Sequence, residues 1–214
     1  MYQPPSFRED RLDIQHALMR SHPLAMLVTM GEGGLSANPV PLMLDASRGT
    51  FGVLQGHLAR ANPQWRGFDA GVECLAIFQG AEHYISPAWY ETKRLTGKVV
   101  PTWNYAIVQV RGHLSIHEDA AWLRAQVDAL TAEHERERPA PWSAADAPAD
   151  FIAAQLKGIV GIEIAVTRIE GKWKASQNRP AADRDGVVAG LTADGDPAAS
   201  AMAALIERSA PHER

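Results

Sequence analysis

The sequence predicts an α+β protein built on an antiparallel β-barrel of about six strands with peripheral helices. Three observations point there. Apolar residues fall on every second position through residues 106–116 and again through 160–166, the pattern of strands with one buried face. The earlier strand candidates are separated by short Gly- and Pro-bearing turns of the hairpin kind. Helical periodicity lies at the start, between the two late strands and at the end, without the regular alternation of a doubly wound sheet.

In chain order, Ser6 and Glu9 read as a capping box opening a helix that carries Leu12, Ile14, Leu18 and Met19 and is stopped by His22-Pro23. Residues 24–30 form a strand and Gly31, Gly33 and Gly34 break it. Residues 35–44 return as an edge or bulged strand, since Pro39 and Pro41 cannot donate to a ladder. A turn at Ser47, Arg48 and Gly49 leads to a third strand over 50–55, and 72–78 reads as a fourth. Residues 106–116 alternate from Ala106, Val108 and Val110 to Ile116 against Gln109, Arg111 and His113; residues 160–166 repeat the pattern. Between them lie a helix over 119–137 bearing Trp122, Leu123, Val127 and Leu130, and another over 148–156 closed by Gly158. Asp196-Pro197 caps and starts a last helix with Met202, Leu205 and Ile206.

The 214 residues, 46% of them apolar, suffice for a packed core. Twenty-one Lys and Arg against 25 Asp and Glu leave a net charge of -4, so the chain as a whole is not the partner of a polyanion. The basic residues concentrate instead in residues 48–111 and 168–184, which suits a small anionic ligand or ordinary solvated cations. One cysteine, Cys74, makes no internal disulfide and implies a reducing, cytoplasmic setting. No run approaches the length of a membrane span, and the amino terminus lacks a signal-peptide layout.

Phosphate-loop, dinucleotide, nucleophile-elbow and zinc-protease motifs are absent. His113 and His117 are four apart on a strand, about 13 Å along it, too far to share a metal ion. Three clusters could carry chemistry. Residues 56–65 (GHLARANPQW) place His57 and Arg60 at a strand exit before Asn62-Pro63, the cap and first position of a short helix. That is either a phosphate site, with a bidentate guanidinium beside free amides, or a structural turn. Residues 98–105 (KVVPTWNY) combine Lys98, Thr102, Trp103 and Asn104, a mixture suited to a flat heteroaromatic ligand. Residues 172–179 (KWKASQNR), with Gln177, Asn178 and Arg179, suit an anion, a subunit interface or an exposed linker.

These clusters, together with MYQPPSF, PLAMLVT, YISPAWY, IVGIE and DRDGVVAGL in that order over residues 1–191, resemble the PaiB family of FMN-binding negative transcriptional regulators, within the flavin-binding split-barrel superfamily. Asn38-Pro39-Val40-Pro41 stands where that family is expected to have a His-Leu-Pro run. The resemblance implies a six-stranded split barrel over 1–191, a C-terminal helix and tail over 192–214, and a homodimer with FMN at its interface. Arg60 and Asn62 would hold the phosphate, with His57 and Lys98 as further contacts. Thr102, Trp103 and Asn104 would line the flavin, and Gln177, Asn178 and Arg179 would come from a neighbouring strand or the other subunit. It also implies repression through DNA; the competing expectation is a flavin oxidoreductase acting on a small substrate.

Overall fold

In the computed structural model, which describes residues 1–209, seven of eight strands follow one another as hydrogen-bonded neighbours in the order β3-β2-β6-β7-β8-β5-β4, and the eighth, β1, pairs with β8. They are β1 (Arg8–Glu9), β2 (Leu24–Gly31), β3 (Gly34–Pro41), β4 (Met43–Asp45), β5 (Val53–Ala59), β6 (Cys74–Ile85), β7 (Thr102–His117) and β8 (Ile159–Lys174). The helices are α1 (Leu12–Ser21), α2 (Gln64–Gly67), α3 (Glu91–Thr96), α4 (Ala120–Glu135), α5 (Ala149–Leu156), α6 (Ala181–Asp194) and α7 (Pro197–Arg208). The α+β class holds, but the strand count differs from the sequence expectation: two short strands, β1 and β4, join six long ones, and the end strands β3 and β4 do not pair with each other. The chain divides into two compact units.

The first unit comprises Met1–Leu18, Gln79–Val108 and the described residues from Glu170 onward. Its opening departs from the expected helix start. Arg8 and Glu9 pair with Lys172 and Gly171 as a strand, and the helix begins only at Leu12, because a sheet edge offers these backbone groups partners that a capping box would have to forgo. Gln15 Nε2 ties the helix back to the Glu9 carbonyl at 2.6 Å. The helix α6 lies against Trp89 through two glycines. A Cβ on Gly186 would stand 2.0 Å from the Trp89 carbonyl oxygen, and one on Gly190 about 2.4 Å from its ring. Asp183, fully buried, accepts from the Thr92 amide and hydroxyl, both at 2.8 Å, and so anchors the first turn of α3. The Asp196 carboxylate caps α7 by accepting from Ala199 N, as the sequence implied. Residues 210–214 of the expected C-terminal tail lie outside the described residues.

The second unit comprises Met19–Phe78 and Gln109–Ile169. Its β2–β3 hairpin runs in strict register from Leu24 opposite Pro41 to Met30 opposite Leu35. Ala25, Leu27 and Val40 point into the core, and burial of Leu27 and Val40 contributes about 1.5–3 kcal/mol of transfer energy apiece. The other face of the ribbon is apolar too, and Leu24, Met26, Met30 and Leu35 are all exposed on it. The third strand, β5, begins at Val53 and runs to Ala59 beside β8, later than expected, because Gly49 and Gly52 take left-handed conformations that prolong the turn. Cys74 sits deep in the sheet, donating to the Gly112 carbonyl at 3.3 Å, and burial pushes its thiol up to about 12. No helix among the described residues is long and apolar enough to cross a membrane.

Candidate functional site

The strongest concentration of chemistry in the first unit is a cleft of about 400 Å³ beside the beginning of β7. Alternation along that strand puts Trp103 and Tyr105 on one face and sends Asn104, Ala106 and Val108 into the core. Lys172 and Lys174 share a face of β8 by the same two-residue period, with Trp173 buried between them. The Lys172 ammonium stands 5.3 Å from the ring centroids of both Tyr2 and Tyr105. It is only 7% exposed and has no carboxylate partner among the described residues. Lys174 Nζ donates to the Thr102 hydroxyl and, at 2.7 Å, to the Trp103 carbonyl. Desolvation, reinforced by the charges of Lys172 and Arg179, holds its pKa below the ordinary lysine value. Trp103 is half exposed and meets Tyr84 edge to face.

The remaining residues expected from the C-terminal cluster brace this region. Asn104 Nδ2 donates to the Ser176 hydroxyl at 2.8 Å, and Ser176 adopts a left-handed backbone, φ 61°. Gln177 accepts from Ala175 N and donates to the Trp173 carbonyl, closing the turn after β8. Arg179 lies over the Tyr90 ring at 4.8 Å. Asn178 and Lys98 are exposed. Thr102, Trp103, Asn104 and Gln177 are thus brought together around Lys174 and Ser176, and the cleft adds Tyr2, Tyr105 and Lys172, which the motif reading had not singled out as site residues. The lysines' spacing on an alternating strand was the available signal.

His57, Arg60 and Asn62 belong to the second unit. His57 lies within β5 rather than past its end, and its Nδ1–H donates to Gln126 Oε1 at 2.8 Å. Arg60 is heavily engaged: Nε and Nη2 donate to the carbonyls of Lys157 and Ile159 at 3.0 and 3.1 Å, and Nη1 to Glu118 at 3.2 Å. Two of its five N–H groups remain. Asn62 accepts from Gln64 N, and Gln64, buried, in turn donates to the Leu27 carbonyl and the Thr29 hydroxyl.

The family model described as “Putative FMN-binding domain” matches residues 1–168. The chain is 32% identical over 207 residues to protease synthase and sporulation protein PAI 2 of Bacillus subtilis, covering 97% of both chains. The chain belongs to the PaiB family of FMN-binding proteins. The PaiB-family chain is also 34% identical over 241 residues to protein AN0679 of Emericella nidulans, covering 96% of each. It shares its fold with the FAD and heme binding protein of Mycobacterium smegmatis at a TM-score of 0.56 and 15% identity, over 88% of this chain and 80% of that one. The cofactor of this PaiB-family protein is FMN. The first unit's donor set suits that group: aromatic faces for a tricyclic ring, and cations that have no acid partner among the described residues for an anion.

Proposed function

We propose that this protein is a homodimeric FMN-binding split-barrel regulator that represses transcription, with FMN received by the cleft beside Trp103 and Tyr105. The observation that supports this placement is Lys172, a buried ammonium between two tyrosine rings with no carboxylate partner among the described residues. An aromatic anion satisfies the charge and the rings together. Bound there, FMN supplies a reversible acceptor of hydride or electrons. Lys172 would face the electronegative edge of the ring, Trp103 and Tyr105 would wall it, and Lys174 would keep Thr102 in position. Arg179, Asn104, Gln177 and Asn178 support the wall from behind, while Lys98 remains an outer contact. Arg60, with His57 and Asn62, is the competing phosphate holder, through its two unspent N–H groups. The six long strands make up the barrel.

A second copy of the chain fits the uncovered apolar face of the β2–β3 hairpin. Pro39 and Pro41 block lengthwise pairing on that edge, so contact would be made face to face. Repression is supported by the relationship to PAI 2, whose name refers to protease synthesis and sporulation. The oxidoreductase reading is favoured by one feature: half-exposed Trp103 leaves the cleft accessible to a small donor.

Titration with FMN is the test. Lys172→Met should weaken FMN by roughly ten- to hundredfold, as expected for a lost charge-assisted contact of about 1.5–3 kcal/mol, while Arg60→Ala stays within about threefold, under 1 kcal/mol. The reverse pattern would move the principal charged contact to the end of β5. A salt-dependent shift of a promoter fragment supports repression; no shift at low salt, with bleaching of the flavin by NADH or NADPH, makes the protein an oxidoreductase instead.

A further inference from the structure

We propose that the cleft beside β7 tells the two redox states of FMN apart, binding the reduced form more tightly than the oxidised form through Lys172 and Lys174. The inference rests on the reading that FMN sits in this cleft. Reduction adds two electrons and a proton to the flavin, which at neutral pH leaves it with one more negative charge than before. The protein answers with two ammoniums on one face of β8 that have no acid partner among the described residues. The one carboxylate lining the cleft, Glu82, accepts from Gln79 Nε2 at 2.9 Å.

The lysines are held in place by neutral acceptors. Among the described residues Lys172 meets two ring faces, and Lys174 has a hydroxyl and a carbonyl; these orient a charge without cancelling it. The proton affinity of Lys174 is lowered first by desolvation; Tyr105 opposes that shift, and the like charges of Lys172 and Arg179 add a smaller repulsion. An added negative charge on the ligand relieves that repulsion. Stacking on Trp103 and Tyr105 works in the opposite direction, since a flat oxidised ring stacks better than the bent reduced one. The sign of the net effect therefore reports which of the two dominates, and the paired lysines decide it.

By linkage, a difference in affinity between two states of a ligand appears as an equal shift of the equilibrium between those states. A tenfold preference for the reduced form raises the two-electron midpoint potential of bound FMN by about 30 mV over free FMN. The device would make occupancy of the site follow the supply of reducing equivalents, which is the property a regulator needs if its signal is the cell's redox state.

The experiment is a reductive titration of the FMN-loaded protein with dithionite against reference dyes, followed in the visible spectrum. The wild type should show a midpoint at least about 30 mV above that of free FMN, corresponding to tenfold tighter binding of the reduced form. Lys172→Met and Lys174→Met should each lose part of that rise, and Lys172→Arg should retain it; thermal melts establish that each variant is folded. A bound potential equal to or below that of free FMN overturns the inference, as does a rise unaffected by either Met variant. Failure of the wild type to take up FMN at all is a different result, and sinks the placement of the cofactor together with everything built on it.

Discussion

Glu163, on β8, collects three donors: both terminal nitrogens of Arg48, at 2.7 and 2.9 Å, and Gln55 Nε2 at 2.8 Å. The Arg48 guanidinium holds its carboxyl below the ordinary glutamate range, against the opposing effect of burial. A depressed native pKa contributes stability that is complete above the unfolded value, about 4.3, and disappears as the pH falls through the native one. Wild type should therefore melt higher than Glu163→Gln near neutrality, and the gap should close below about pH 4; a gap that does not vary with pH would discard this account. At this scale local chemistry was legible and distant partners were not. Asp119 and Asp196 cap their helices as their own neighbours demand, each accepting an amide proton three residues on. Arg60 was recognised as chemically apt, yet its carbonyl partners lie 97 and 99 residues further along, where no local pattern reaches. Lys172 stands in a polar segment whose local pattern does not distinguish it, and only the pairing of strands brings Tyr105 to it.

The helix α6 shows why an element can escape sequence reasoning. Gly186 and Gly190 lower its intrinsic helicity, and within it only Asp183, Val187 and Leu191 are buried, so the apolar stripe is thin. What stabilises it is the close approach to Trp89 that the glycines permit. Gly186→Ala should accordingly cost about 1–3 kcal/mol in chemical denaturation despite the better helix propensity of alanine. Gly33→Ala, where a Cβ meets nothing within 4 Å, serves as the control and should change little. Equal stabilities of the two variants would mean that the Trp89 contact does not limit packing. The long alternating strands were legible because their period is intrinsic to a half-buried sheet. The pairing of β1 was not, since two residues have no period and their fate is set by the free edge beside Lys172.

At the scale of the whole molecule, the exposed ribbon of Leu24, Met26, Met30 and Leu35 is the face on which the proposed second copy would sit. Light scattering at micromolar concentration should give twice the chain mass of 23.3 kDa, and Met26→Glu combined with Leu35→Glu should return it to a single chain. A wild type that is monomeric under these conditions removes the dimer from the proposal. The α+β class was legible as soon as two periodicities were counted. Strand order was not, because β5 lies next to β8 although the 99 residues from 60 to 158 separate the two strands. That long-range pairing also bears on Cys74. Its sulfur is enclosed between distant strands and reluctant to ionise. Alkylating reagents consequently find no nucleophile in the native state, and each modified molecule records one excursion in which the sheet came apart. The lone thiol is a built-in reporter of opening at the centre of the sheet.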